Sequence, residues 1–341
     1  MSGTSLDGLD IASCSFKYEH DQWSFHLHHG ETVSFQPELL SAISKAHLLT
    51  ESELHNLDKN FGIWMGEQVN RYCEQNQFNP DLICSHGHTV FHQPERNYTL
   101  QIGSGKELHR ITNKKIICDF RTADVRLGGQ GAPLVPIGDA LLFNKYTYCV
   151  NLGGIANISS DENGKRVAFD VCPVNQVLNS LSLELGFPYD DKGRISEKGS
   201  VQKVLLDKLN KLDFYTIDGP KSLGREWVES VFMPIITTSK DSIPDKLATV
   251  SEHIAIKLSQ SMPKEGRILI TGGGAKNDYL MNLLSSRLKG EITTFTDELI
   301  IDFKEAMIFG FLGVLKLRND VNCLASVTGA KHDHSSGVIF E

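Results

Sequence analysis

The sequence predicts an α/β chain built in two similar halves, and three observations carry that reading. Short apolar runs bounded by turn residues, at 80–85, 114–120, 148–152 and 267–270, have the pattern of buried parallel strands. Stretches of helical length precede these strands or lie between them, as at 50–74, with apolar residues at helical spacing, and at 246–262. Each half also carries a paired-glycine turn at a strand end, Gly3 with Gly8 in MSGTSLDGLD and Gly153 with Gly154 in NLGGIANIS, and a triple glycine follows in ITGGGAKN. The two paired turns share a plan, although their strings differ too much to establish a duplication alone.

Size and composition bound the rest. At 341 residues, 40% hydrophobic with 29 Gly and 11 Pro, the chain has core enough for two domains of a soluble globular protein. With 34 basic and 42 acidic residues the net charge is −8, which argues against binding to nucleic acid or to an anionic membrane and leaves room for a local phosphate site. The seven cysteines (14, 73, 84, 118, 149, 172, 323) are odd in number, sit in apolar contexts and form no C-x-x-C pair. They read as reduced core thiols, with neither a disulfide frame nor a zinc site. The longest apolar run, 306–315, is ten residues with two glycines, too short for a span. No charged leader precedes an apolar stretch at the start, and a cytoplasmic location is the expectation.

The opening turn has the composition of a loop that wraps a phosphate. Gly3 and Gly8 let backbone N–H groups approach an anion, Ser2, Thr4 and Ser5 add donors, and Asp7 suits a metal bridging a polyphosphate. The same residues also make an ordinary hairpin turn. Strands are expected at 11–18 and 23–33, then helices at 37–46 and 50–74, the second opened by Thr50 and Glu53 in a capping box. Phe61 and Trp64 on that helix read as core.

The strand at 80–85 delivers His86, His88 and His92 in SHGHTVFHQP. Three histidines in seven residues raise a metal site, yet no carboxylate or cysteine with ligand spacing lies near them. A site loop at a strand's C-terminal end fits better. Strands follow at 97–103 and 114–120, the latter running into DFRTADVRLGGQGAPLVP, where Arg121, Asp124 and Arg126 make either surface ion pairs or an arginine fork for a carboxylate or phosphate.

A helix at 134–143 links the halves, and the strand 148–152 opens the second. The strand 167–172 places Asp170 at its C-terminal end, as a cap for the helix 176–185 or as a general base at the ligand edge of a sheet. Gly272, Gly273 and Gly274, with Asn277, stand at a strand-to-helix junction but match neither a Rossmann fingerprint nor a P-loop. Such a turn suits a flat nucleoside or its phosphates. A strand at 291–296 and a helix at 303–317, with Lys304 and Glu305 at its start, complete the second half; the polar tail from Asn319 is expected on the surface.

Taken together, the three glycine turns resemble the phosphate-1, phosphate-2 and adenosine motifs of the actin-like ATPase fold shared by sugar kinases and Hsp70. More closely, MSGTSLDGLD, SHGHTVFHQP, TLQIG, DFRTADVRLGGQGAPLVP, NLGGIANIS, PKSLGRE, ITGGGAKN and KEAMIFGFLG, in that order, resemble the anhydro-N-acetylmuramic acid kinase family. The resemblance implies two actin-like (RNase H-like) domains with a nucleotide cleft between them, an N-terminal one at 1–134, with 318–341 packing back on it, and a C-terminal one at 135–317. It implies an ATP-dependent enzyme that uses Mg²⁺, opens the 1,6-anhydro ring of anhydro-N-acetylmuramic acid with water and phosphorylates O6, as a homodimer. Matched by motif, Asp170 is the base, Gly3, Thr4, Ser5, Asp7 and Gly8 the first phosphate loop with Asp7 toward the metal, and Asn151, Gly153 and Gly154 the second. Gly272, Gly273, Gly274 and Asn277 match the adenosine site, and His86, Arg121 and Glu305 the sugar pocket. A levoglucosan-type anhydrosugar kinase and a non-catalytic Hsp70-like nucleotide-binding protein are the alternatives.

Three departures accompany the resemblance. Where the family reads D-T-G-P-G-N this chain reads DVCPVN, so Cys172 and Val174 are expected to narrow the site. His88 replaces an amide with a titratable ring. The family's strand ahead of the first phosphate loop is missing, which points to a start placed about ten residues late.

Overall fold

A computed structural model describes the chain except for Thr4, Ser5, Asp7, residues 218–220, 295 and 296, and the side chains of Thr293 and Thr294. The fold is α/β, in two compact units: Met1–Leu142 with Phe303–Glu341, and Phe143–Asp302.

In the first unit, the expected strands β1 (Leu9–Glu19) and β2 (Gln22–Val33) pair as an antiparallel hairpin, with a bulge at Ser13/Cys14. The helix Glu51–Gln75 opens on Thr50, whose hydroxyl accepts from Glu53 N at 3.4 Å while Glu53 Oε2 accepts from Thr50 N at 2.9 Å. That reciprocal cap satisfies two orphan donors of the first turn. Leu57, Phe61 and Met65, four residues apart, then share one face and bury against Ile102, Leu108 and Ile116.

A second hairpin, β4 (His88–Gln93) with β5 (Tyr98–Ile102), follows β3 (Ile83–Ser85). Strand β3 pairs in parallel with β6 (Ile116–Cys118), a strand buried over most of its length. Among the described strands β1 pairs only with β2, and consecutive residues of β1 and of β3 line a cavity of about 600 Å³.

In the second unit, β7 (Tyr148–Leu152), β8 (Ile155–Glu162) and β9 (Lys165–Pro173) make an antiparallel meander. β10 (Arg267–Thr271) and β11 (Glu291–Thr294) extend it in parallel, in the order β11-β10-β7-β8-β9. Leu247, Val250, Ile254 and Leu258 of the helix Ile243–Ser261 are fully buried in the core that covers this sheet. Their 3- and 4-residue spacing is the stripe that the sequence displays.

Two expectations differ from the structure. The contact boundaries fall at 142/143 and 302/303, so the helix Pro136–Leu142 and most of the helix Glu298–Leu317 belong to the first unit. A buried ion pair joins these helices, Lys304 Nζ to Asp139 Oδ1 at 2.8 Å. The tail is not a surface segment: Asn322 and Ser336 are each 1% exposed, and Asn322 Nδ2 donates to Leu312 O and Ser336 O at 2.9 Å. β12 (Val338–Phe340) pairs antiparallel with β6. Polar residues bury readily when they hydrogen-bond one another, and composition does not record that.

Candidate active site

The C-terminal ends of the parallel strands β7 and β10 lie side by side, Asn151 opposite Thr271. Both strands leave the sheet there through glycine turns, and those turns are in contact. Gly272 has φ 84° and ψ 164°, a region reached essentially only by glycine. A Cβ at Gly272 would lie 2.6 Å from Asn151 Oδ1 and 2.9 Å from the Leu152 carbonyl, and one at Gly274 would lie 2.7 Å from Leu152 Cβ. By contrast, the nearest group a Cβ would meet at Gly154 is Gln176 Cβ at 3.8 Å, and at Gly273 Asn175 Nδ2 at 3.5 Å. The first pair of contacts locks the two turns together, and the second pair leaves backbone accessible to a ligand.

Asn175 pins the assembly by donating from Nδ2 to Leu152 O at 3.0 Å. The N-terminus of the helix Asn175–Leu183 docks on the second glycine turn, with Val174 N and Gln176 N donating to Gly154 O and Asn175 N to Gly153 O. Asn277 is buried and spends its side-chain oxygen on Leu280 N at 3.0 Å, capping the helix Asp278–Ser285.

Asp170 lies within β9, three residues before its end, next to the register shift opposite Ala156/Asn157. It does not cap the following helix. Its Oδ2 accepts from Leu223 N at 2.8 Å and from Ser222 Oγ at 3.2 Å, while its own N–H donates to Lys221 O at 2.9 Å. Desolvation raises its pKa above the ordinary carboxylate value, against these two hydrogen bonds, which lower it. A half-buried carboxylate, fixed by a loop and inclined to take a proton, is equipped as a general base. Ser222 and Leu223 were not expected in the site; their signal was the string PKSLGRE, which matches by motif without revealing what it touches.

In the first unit His86 and Arg121 meet directly. Arg121 Nε donates to His86 Nε2 at 2.9 Å and its Nη1 to Gly131 O at 2.6 Å. His86 Nδ1 donates to Gly87 O at 3.2 Å, so the ring is the neutral tautomer that accepts from the guanidinium. Burial, then the Arg121 charge, push the His86 pKa well below its usual value. Glu305, on the helix Glu298–Leu317, lies within electrostatic reach of Arg121, which opposes the rise that desolvation imposes on its carboxyl.

The three histidines of SHGHTVFHQP take separate partners. His88 pairs with Ser2 Oγ at 3.0 Å and His92 with Thr99 Oγ1 at 3.2 Å. Burial lowers the His88 pKa to about 4, so the expected titratable ring is neutral at physiological pH. Of the first phosphate loop, Thr4, Ser5 and Asp7 lie outside the described residues. A Cβ at Gly8 would lie 2.6 Å from Val33 O, so this glycine serves the close approach of the turn to β2; Leu6 N donates to Gly3 O at 3.3 Å inside the turn.

The model of the family described as anhydro-N-acetylmuramic acid kinase matches residues 1–341. Proteins curated under that name share 33% identity with the chain in Haemophilus influenzae, over 100% of this chain and 96% of the relative, and 31% in Nitrosomonas europaea, over 100% and 98%. One from Bacillus cereus shares 32%, over 97% of this chain and 95% of the relative. The chain belongs to the anhydro-N-acetylmuramic acid kinase family. Among solved structures, an activator of the 2-hydroxyisocaproyl-CoA dehydratase from Clostridium difficile with bound ADPNP superposes with TM-score 0.33 at 15% identity, covering 62% of this chain and 86% of that one, a likeness too slight to carry an argument.

The consequence expected of the DVCPVN string differs from what the structure shows. Cys172 and Val174 are both fully buried in the core of the second unit. Val171, between Asp170 and Cys172, is the extra residue at the register shift of β9 and is buried as well, so the end of β9 and the turn after it pack together into that core. The Cys172 and Val174 side chains are both spent on apolar packing in that core.

Proposed function

We propose that this member of the anhydro-N-acetylmuramic acid kinase family attacks C1 of the 1,6-anhydro sugar with water while O6 receives the γ-phosphoryl group of ATP, giving N-acetylmuramic acid 6-phosphate. The observation that carries the reading is Asp170, a carboxylate held by Leu223 N and Ser222 Oγ and raised in pKa by desolvation. It takes the proton from the attacking water as the C1–O bond breaks, and O6 leaves with the electron pair that bonds to phosphorus. In-line attack opposite the leaving oxygen inverts C1, the logic of inverting glycosidases.

The glycine turns fit a nucleotide. Where Gly272 and Gly274 meet Leu152 and Asn151 there is no room for a side chain, and the backbone at Gly273 and Gly154 stays accessible. We assign Gly272, Gly273, Gly274 and Asn277 to the adenosine, Asn151, Gly153 and Gly154 to the phosphates, and the opening turn, Gly3, Thr4, Ser5, Asp7 and Gly8, to the β- and γ-phosphates, with Asp7 toward Mg²⁺. Bound Mg-ATP supplies the phosphoryl group and the cation that offsets its charge. His86, Arg121 and Glu305 are assigned to the sugar, where Arg121, oriented by His86 and Gly131, meets the lactyl carboxylate or charge developing in transfer. A homodimer and a cytoplasmic location accompany this reading.

The test is turnover in ¹⁸O-water with Mg-ATP and either anhydro-N-acetylmuramic acid or levoglucosan. Label at C1 of a 6-phosphorylated N-acetylmuramic acid is expected. Product from levoglucosan alone would reassign the substrate, and ATP binding without sugar-dependent ADP release would overturn the enzymatic reading.

A further inference from the structure

Beside the loop that carries Arg121, the first unit buries a carboxylate, a thiol and an imidazole together. Asp124, on the helix Thr122–Arg126, is fully buried; its Oδ2 accepts from Gly131 N at 2.7 Å and its Oδ1 from Thr328 Oγ1 at 2.7 Å. Cys323, 1% exposed, brings its Sγ within 3.1 Å of the same Oδ1. Cys323 and His334 face each other across two backbone hydrogen bonds, Cys323 N to His334 O at 3.0 Å and His334 N to Cys323 O at 3.1 Å. That pairing fixes their side chains as neighbours before any ligand arrives.

The imidazole supplies the second observation. His334 Nδ1 lies 3.2 Å from His332 O, and since a carbonyl only accepts, Nδ1 carries the hydrogen and the neutral ring has its lone pair on Nε2. The His334 side chain is 8% exposed, and its Nε2 makes no hydrogen bond, yet it points at Asp124 Oδ1 from 3.6 Å. Two acceptors thus face each other in a buried site, an arrangement that a cation between them resolves. The carboxylate oxygen, Sγ and Nε2 all lie within 4.8 Å of one another.

We propose that Asp124, Cys323 and His334 bind one zinc-class divalent ion. One S, one N and one O donor at these separations suit a borderline-soft tetrahedral cation, with a fourth position left for water. Binding releases one proton, from the Cys323 thiol; Nε2 and Oδ1 contribute lone pairs they already hold. Aspartate and thiolate balance the two positive charges, so the site adds no net charge beside Arg121. The ion would clamp the tail to the loop that carries Arg121, three residues before Asp124. Sequence spacing conceals the site because its ligands come from positions 124, 323 and 334.

The test is titration of the metal-stripped full chain with Zn²⁺ against a chromophoric chelator and with Co²⁺ by absorption. One equivalent is expected to bind, Co²⁺ giving a thiolate charge-transfer band that vanishes in Cys323→Ser. Loss of a residue that only orients a ligand costs 10–100-fold in affinity, so His334→Gln, which loses a ligand, should cost at least about 100-fold. Zn²⁺ should raise the melting temperature of the wild type and leave that of His334→Gln unchanged, with ATP binding confirming that the variants fold. Three outcomes would overturn the site: no binding above background; binding without the thiolate band; or equal affinity in wild type and Cys323→Ser.

Discussion

Gly272→Ala tests whether the two glycine turns of the second unit work as one piece. The backbone at 272 sits at φ 84° and ψ 164°, and holding a residue with a Cβ there costs on the order of 1–3 kcal/mol. The new methyl also meets the Leu152 carbonyl group at 2.9 Å and Asn151 Oδ1 at 2.6 Å. The first of these is backbone at the end of a central strand and yields little, so overpacking adds about 1–3 kcal/mol. The combined loss is about 2–6 kcal/mol, which for a unit of this size lowers the melting temperature by about 5–20 °C. Gly164→Ala separates the terms: Gly164 lies in the β8–β9 turn at φ +77° with nothing within 4 Å of an added Cβ, so it pays about 1–2 kcal/mol for conformation alone. Both variants are followed by thermal melting and by calorimetric titration with ATP. Gly272→Ala should weaken ATP at least about tenfold, or 1.4 kcal/mol, while Gly164→Ala leaves it unchanged. Equal losses of stability, or ATP affinity within twofold of wild type in Gly272→Ala, would refute the reasoning.

Three further outcomes are expected. Asp170→Asn retains an acceptor for Leu223 N and Ser222 Oγ and so should fold and bind ATP, while sugar-dependent turnover falls about 10²–10⁴-fold; turnover near wild type would place the base elsewhere. Because the Asp170 pKa is raised, the acid limb of the pH–rate profile should lie above the ordinary carboxylate range, and Ser222→Ala, which removes a hydrogen bond to the charged form, should move it higher still. The same shift means the folded chain binds more protons than the unfolded one through that window, so this group's contribution to stability is present below the ordinary pKa and is lost as pH rises through the folded value. Lys304→Met breaks the buried ion pair with Asp139 and should cost up to about 3–5 kcal/mol in urea denaturation, with part of the loss recovered in Lys304→Met with Asp139→Leu.

Local signals read well because they are local. The capping box at Thr50 and Glu53, the hairpin of β1 and β2, and the strand at Tyr148–Leu152 depend on neighbouring residues, and the sequence displays them. So do the family motifs, which place Asp170 and the glycine turns in order along the chain. What lies around those residues is another matter, because side-chain partners come from distant positions. Ser222 and Leu223 reach Asp170 across more than fifty residues, and Arg121 reaches His86 across thirty-five.

The sequence by itself determined the α/β class, the family and the candidate site residues, since each rests on periodicity or on a contiguous motif. The tertiary structure decided the environments. Burial turned His88 from a titratable ring into a neutral one, and the bulge near the end of β9 and the turn after it packed Cys172 and Val174 into the core. It carried a polar tail into the first unit, where Asn322 and Ser336 satisfy each other, and set Cys323 and His334 beside Asp124. A side chain's pKa, orientation and ligands depend on which surfaces the fold brings together, and in a chain where units are closed by segments remote in sequence, that information exists only once the chain has folded.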